Sequence, residues 1–410
     1  MHHPLIMFSV VGVFLILLCF VCASVANDPE DLRVKRLIHD WAPMVWLAPG
    51  ERFLPLGVPE FLANVESDDN YLRTRLSLQL LLQNRSSFLH GRKPAGDVPI
   101  YALVKNCLHD DFDRPATGAA ANPNVLVDDF VNPIETNNVP GSSAEFLDSL
   151  PPPIAMARGF SRNRFSQDVN MQTSLKLDAH KRKKLKLQAL RAQPPLHFHV
   201  TYWMFYPFSE GKAVCVLDLG FLGSWPIPNI GGMCLGKQKE YGSHVGDWEH
   251  VSLYFKGKDH PAAMYVSAHD AGAFYRYESR SNTFVYESQE TRKGIFQKPI
   301  FPERVHTSEG SHPVLFSARG SHGLWTAPGK HKFVRLPRLY DESGFGTPWP
   351  TWRKVEMLSD ESALPTWMTF TGKWGNKKSN CHPLAKLGIN ICEFVDGPTG
   401  IPTKKMNFRC

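Results

Sequence analysis

The segment from Gly242 to Phe255 reads GSHVGDWEHVSLYF, and it opens with three groups able to ligate a cation: His244, Asp247 and Glu249. From Asp247 onward the pattern alternates. Asp247, Glu249, Val251, Leu253 and Phe255 share one face of a predicted strand, and Trp248, His250, Ser252 and Tyr254 share the other. Carboxylates two residues apart on a strand project from one side, with Cα atoms about 7 Å apart. On a face that continues into a core they repel each other and resist desolvation, so they need a cation, an arginine or open water. Oxygen ligands joined by one imidazole suit Mg²⁺, Mn²⁺ or Ca²⁺. A salt-bridged acid pair at a strand end meets the same spacing equally well.

Three more strand-like segments finish on polar groups. YWMFYPFSEG ends with Ser209 and Glu210, YVSAHDAG carries His269 and Asp270, and ARGSHGLW carries Arg319, Ser321 and His322 before Trp325. One such residue alone reads as structural, but their repetition where strands give way to loops points to a ligand site. His269, Asp270, Arg319, His322 and Trp325 are therefore candidate ligand-binding residues, with Trp203, Trp225 and Trp325 lining the approach. If the site were a metal-dependent hydrolase, His250 or His269 would serve as general base. Against that, His250 falls on the face opposite the acids, and the chain has no nucleophile elbow and no zincin helix motif.

The elements that must position these groups are mainly β. HFHVTYWMFYPF, DWEHVSLYF, AAMYVSAHDAG, TFVYES and HPVLFSARGSHGLW are aromatic and β-branched runs separated by turn residues. Short strands at this spacing predict a β-sandwich core over 197–357. Residues 37–107 precede it as the N-terminal part of the same domain. Residues 108–196, rich in Asp, Asn, Pro and Ser, read as a long irregular insertion with some helix near its end. Residues 358–410, rich in Gly and Pro with three cysteines, read as a disulfide-tied C-terminal cap.

The N-terminus predicts export. Leu5 to Val21 is an uncharged apolar run followed by CASVAND, with Ser24 and Ala26 at the small-residue positions of a cleavage site, so 1–26 reads as a signal peptide. The alternative, a membrane anchor, is disfavoured by the short run and the lack of a basic flank after it. Residues 27–36 could be a short propeptide ending at the dibasic RVKR, or the polar face of a helix started by Asp28-Pro29-Glu30-Asp31. An oxidising compartment would pair Cys107, Cys215, Cys234, Cys381, Cys392 and Cys410, with Cys215 to Cys234 the first guess. Cys19 and Cys22 would leave with the signal segment, and no two of the remaining cysteines have the C-x2-C spacing of zinc sites. Asn84-Arg85-Ser86 is the glycosylation sequon. The net charge of +7 is local, since Lys181, Arg182, Lys183, Lys184, Lys186 and Arg191 account for six of it. That run reads as a solvated linker or, less simply, as an attraction to anionic lipid or polyanion; nothing in the chain points to nucleic acid.

PMVWLAPGERFLPLGVPEFLANV, YWMFYPF, HVGDWEHVSLYF, YVSAHDAG, HPVLFSARGSHGLWTAPG, GFGTPWPTW, GKWGN and GPTGIP, in that order, resemble the vacuolar protein sorting-associated protein 62 family. The family's name reports a sorting phenotype and implies no molecular activity. HVGDWEH is also similar, more distantly, to the GHRHDWE heptapeptide of the necrosis-inducing Nep-like cytolysins, secreted β-sandwich proteins that bind a divalent metal and then a sphingolipid head group. That similarity implies His244, Asp247 and Glu249 as metal ligands, with Glu210 as a further acid one position displaced. Gly246 departs from the motif, which has a second histidine there. The expectation is therefore a secreted or secretory-lumen protein that binds a lipid head group or glycan through a divalent cation, with peripheral membrane contact. A metal-dependent hydrolase, or an extracellular structural protein without a metal, are the alternatives.

Overall fold

The computed structural model describes residues 29–107, 196–220, 223–227, 230, 233–291, 299–334, 339–358, 364–383 and 392–410. The signal segment, the basic run and all but the last residue of the expected insertion lie outside them.

Apolar, β-branched sequence becomes strand throughout. Twelve strands form one mixed sheet: β1 (Met44–Leu47), β2 (Ile100–Asn106), β3 (His197–Ser209), β4 (His244–Lys256), β5 (Ala263–Ala268), β6 (Ala271–Glu278), β7 (Thr283–Thr291), β8 (Arg304–Ser308), β9 (His312–Ser317), β10 (Leu324–Trp325), β11 (Thr347–Pro350) and β12 (Val355–Met357). Their order is β11-β1-β9-β8-β7-β6-β5-β4-β3-β2-β12, with β10 on β9. Neighbours are antiparallel except β1 with β9 and β2 with β12. At the centre β3 and β4 pair from His197 opposite Lys256 to Ser209 opposite His244.

The sheet curls so that strands remote in its order share one core. Val45 and Leu47 of β1, Leu315 of β9 and Trp349 of β11 pack in one cluster with Tyr202, Met204 and Tyr206 of β3 and Val251 and Leu253 of β4. The Tyr206 hydroxyl donates to Ser317 at 3.1 Å, and its ring meets Trp349 edge-on. The two facing layers of the expected sandwich are thus parts of one continuous sheet. The opposite face of β3 and β4 is covered as well: Trp203, Phe205 and Trp248 pack with Phe61, Trp367 and Trp374. Because both faces are buried, β3 reads as an unbroken apolar run rather than an alternation.

Three disulfides link the described residues. Cys215 bonds Cys234 as expected, and the remaining pairs, which spacing alone left open, are Cys107–Cys410 and Cys381–Cys392. Cys107 closes β2, so its bond holds the C-terminal segment across β3 and β4, where Asn407 accepts from His250 and Phe408 stacks on Tyr254. A helix, Pro29–Asp40, carries RVKR; its Arg33 pairs with Asp259, and Leu37 and Ile38 enter the core. No helix of the described residues is long and apolar enough to cross a membrane. Asn84 follows the helix Leu78–Gln83, is exposed, and accepts from the Ser86 amide through its side chain.

Candidate functional site

The acids of β4 are positioned as the alternation predicts. Asp247 and Glu249 lie on the face that continues into Val251, Leu253 and Phe255, and both are buried. His244 begins the strand, and its Nδ1 donates to the Gly246 carbonyl at 2.7 Å. Gly246 has a φ of 70°, and a Cβ there would sit 2.0 Å from the Trp374 carbonyl oxygen. The cap approaches the strand so closely that no side chain fits at position 246, which is why the motif's second histidine has no counterpart here.

The cation that answers the acids comes from the loop between β9 and β10. His322 is completely buried and stacks on Tyr206 with ring centroids 3.8 Å apart. Its Nδ1 lies 3.0 Å from Asp247 Oδ2 and its Nε2 lies 2.9 Å from the Phe53 carbonyl oxygen. A carboxylate and a carbonyl only accept, so both ring nitrogens must donate and His322 is an imidazolium. Burial opposes that charge, but the Asp247 hydrogen bond, the carboxylates of Glu51 and Asp247 and the Phe53 carbonyl outweigh it and raise the His322 pKa. Burial likewise opposes ionised Asp247, yet His322, His244 and Lys404 hold its pKa below the ordinary carboxylate value. Glu51 completes the group. It accepts from the amides of Arg52 and Phe53 at 2.8 Å and of Gly320 at 2.7 Å, and one oxygen lies 4.0 Å from His322.

A second buried acid organises the neighbouring loops. Asp341 sits in the hairpin of the Gly329–Val334 and Leu339–Ser343 strands and is fully enclosed. Its Oδ2 accepts from His269 Nε2 at 2.6 Å and Trp325 Nε1 at 2.9 Å, and its Oδ1 accepts from Ser321 at 2.7 Å and lies 2.7 Å from Lys212 Nζ. Burial pushes the Asp341 carboxyl up, but His269 and Lys212 outweigh it and hold it well below the usual carboxylate range. Phe333 stacks on His269 at 4.1 Å and lies beneath Lys212 at 5.7 Å. Lys212 and His269 are each 22% exposed, so both reach solvent from an anchored base. Ser321 and His322 are adjacent, which couples this group to the first. His269 and His322 both hold positive φ, 55° and 58°, in the left-handed region that few non-glycine residues occupy.

The predicted residues therefore divide. Asp247 and His322 form a buried ion pair, and His269 joins Trp325 on Asp341. Trp325 and Trp203, expected to line the approach, are instead enclosed in the core, because both faces of the curled sheet are covered. Trp225 is 37% exposed. Arg319 is exposed and paired with Glu342 at 2.7 Å, and Glu210 is paired with Arg52. Asp270 is half-buried beside His269. His250, on the far face of β4, is buried and bonded to Asn407 at 2.9 Å, so it cannot serve as a base for chemistry at the acids. Glu51, Lys212 and Asp341 were missed: each lies in a separate polar stretch, PGERF, SEGKAV and LYDESG, without local periodicity.

A divalent ion fits this arrangement poorly. Among the described residues, the histidine, cysteine and acid side chains whose ligand atoms come within 4.8 Å of one another in a group of three are Cys107, His199 and Cys410, and both of those sulfurs are in a disulfide. His244, Asp247 and Glu249 do not converge in that way, and a fixed imidazolium already neutralises Asp247. The spacing of the motif admitted an ion or a salt bridge, and the burial of His322 against Asp247 supplies the salt bridge.

Two curated yeast proteins support the family resemblance. Vacuolar protein sorting-associated protein 62 of Saccharomyces cerevisiae is 25% identical over 226 residues, covering 50% of this chain and 40% of that protein. TDA6 of the same yeast, named as a vacuolar protein sorting-associated protein, is 27% identical over 223 residues, covering 50% of this chain and 41% of its own length. The chain is similar to vacuolar protein sorting-associated protein 62. It spans about two fifths of the length of these relatives. No protein-family model matches the chain, and no solved structure matches it. The resemblance and the disulfides together suit a secretory-pathway or vacuolar setting.

Proposed function

We propose that this chain is an exported binding protein that recognises an anionic head group, such as a phosphate monoester, through Lys212 and His269, without a metal ion. One observation carries the reading: two partly exposed cationic or proton-bearing side chains are fixed on the two oxygens of one fully buried carboxylate. Asp341 and Phe333 spend no freedom on binding, because they hold both side chains before a ligand arrives, which lowers the entropic cost of association. Lys212 keeps an ammonium proton beyond those directed at Asp341 and Ser321, and a protonated His269 would add its Nδ1–H as a second donor for phosphate oxygens.

Calorimetric titration of the disulfide-bonded mature chain with glycerol phosphate tests this, alongside Lys212→Ala and His269→Ala. Saturable binding, weakened at least about tenfold in either variant and indifferent to a chelator, is the expected result. Binding that needs Mg²⁺, Mn²⁺ or Ca²⁺ would return the site to His244, Asp247 and Glu249 and overturn the metal-free reading.

A second reading has its own observation. His269 and Asp341, 2.6 Å apart, have the geometry of a base and its orienting carboxylate. Ser321 donates to Asp341 instead of approaching the imidazole, so a hydrolase here would have to activate water. Turnover of a phosphate or carboxylate ester that disappears in His269→Ala would favour it.

A further inference from the structure

The small sheet made by Lys212–Asp218, Ser224–Pro226 and Lys237–Tyr241, with the described residues between its strands, exposes apolar side chains in an unusual concentration. Eleven large hydrophobic residues are exposed among the described residues, and six of them fall between positions 217 and 235: Leu217, Leu219, Trp225, Ile230, Met233 and Leu235. Scattered exposed leucines are ordinary, but a concentration on one element marks a contact surface. Leu217 stands directly opposite Trp225 across the strand pair, so their side chains share one face. Ile230 and Met233 exchange backbone hydrogen bonds at 3.0 Å, which brings that pair together. The Cys215–Cys234 bond staples the segment to its own strand, so the apolar surface is presented on a braced support.

We infer that this stapled sheet is a membrane-docking surface that inserts its apolar tip into the interface of an anionic bilayer. Composition selects the bilayer over a protein partner. Between Asp218 and Glu240 the sequence LGFLGSWPIPNIGGMCLGKQK contains no acid, and its charged residues are Lys237 and Lys239. Lys237 is exposed on the edge of the apolar group, while Lys239 reaches Ser224 at 3.0 Å and lies 3.8 Å from Glu393. Aliphatic groups with one tryptophan, beside Lys237 and Lys239 and with exposed Asp218 between Leu217 and Leu219 as the one acid among them, match the two terms of interfacial binding: apolar burial and attraction to anionic lipid. Trp225 suits the boundary because it joins an apolar ring to a polar N–H, and its ring meets His382 edge-on at 4.9 Å. The surface is a different element from the Asp341 group, and its test does not depend on head-group binding there.

The experiment is vesicle sedimentation of the disulfide-bonded mature chain, with phosphatidylcholine alone and with phosphatidylcholine mixed with phosphatidylserine. The expected result is binding to the mixed vesicles that weakens as salt rises. Met233→Glu with Leu235→Glu, and separately Trp225→Ala, should each reduce the bound fraction by about tenfold or more, with circular dichroism unchanged. Lys237→Glu should reduce binding to the anionic vesicles alone. Absence of sedimentation with either vesicle, or equal sedimentation of wild type and the Met233/Leu235 variant, overturns the proposal. So does light scattering that shows a wild-type dimer split by the same substitutions, because the patch would then be covered by a second copy.

Discussion

At the residue scale the decisive group is His322. It is enclosed, carries a proton on each ring nitrogen, and stands between the carboxylates of Asp247 and Glu51. Replacing it leaves two buried acids without their cation, and removing one partner of a buried pair costs about 3–5 kcal/mol. His322→Gln should therefore lower the unfolding free energy by that amount in urea titration, although glutamine keeps a hydrogen-bonding side chain. Asp247→Asn should also destabilise, because it leaves the imidazolium with Glu51 alone; unchanged stability in both variants would show that the pair is not needed for the fold. Asp341→Asn should act on two measurements at once. It removes the acceptor that fixes Lys212 and His269, so stability and glycerol phosphate binding should fall together.

At the element scale, β4 shows how much of the site was legible. Its face assignment followed from alternation alone, and Val251, Leu253 and Phe255 lie where that alternation sends them. The partner of its acids was not legible, because His322 and Asp247 are 75 positions apart and meet only when the sheet curls. The Asp341 group was out of reach for the same reason: its members come from four segments, and a short polar stretch such as LYDESG gives no sign that its acid will be enclosed. The sandwich itself was read from strand spacing, whereas the continuity of its layers depends on long-range pairing such as β1 with β9. Gly246 is the position where element and cap constrain each other. Gly246→Ala imposes a left-handed conformation on a residue with a Cβ, which costs about 1–3 kcal/mol, and drives that carbon against the Trp374 carbonyl. A loss of stability beyond that range, with loss of the near-ultraviolet dichroism of the tryptophan cluster, is the expected outcome; an alanine variant as stable as wild type would show that the cap can retreat.

At the scale of the whole molecule, the two buried charge groups make stability depend on pH in opposite directions. The His322 pKa is raised above an unfolded value of about 6.5, so its contribution is complete below that pH and is lost as pH rises through the folded value. Asp247 and Asp341 are depressed below about 3.9, so their contribution is present above that pH and fades as pH falls through the folded values. Both are intact together between roughly pH 4 and 6.5, the range of an acidified lumen. His312 and His331 lean against this: burial lowers both, so they begin to favour the unfolded chain as pH falls through about 6.5. The raw stability curve mixes all five groups, and the difference between wild type and variant isolates one. Midpoints from thermal unfolding at closely spaced pH should show wild type and His322→Gln converging as pH rises above 6.5, because the contribution removed by the substitution is the one that disappears there. Wild type and Asp341→Asn should converge at the acid end instead. Parallel curves for His322→Gln across the whole range would mean that the imidazole is buried neutral, and the ion pair at the head of β4 would have to be abandoned.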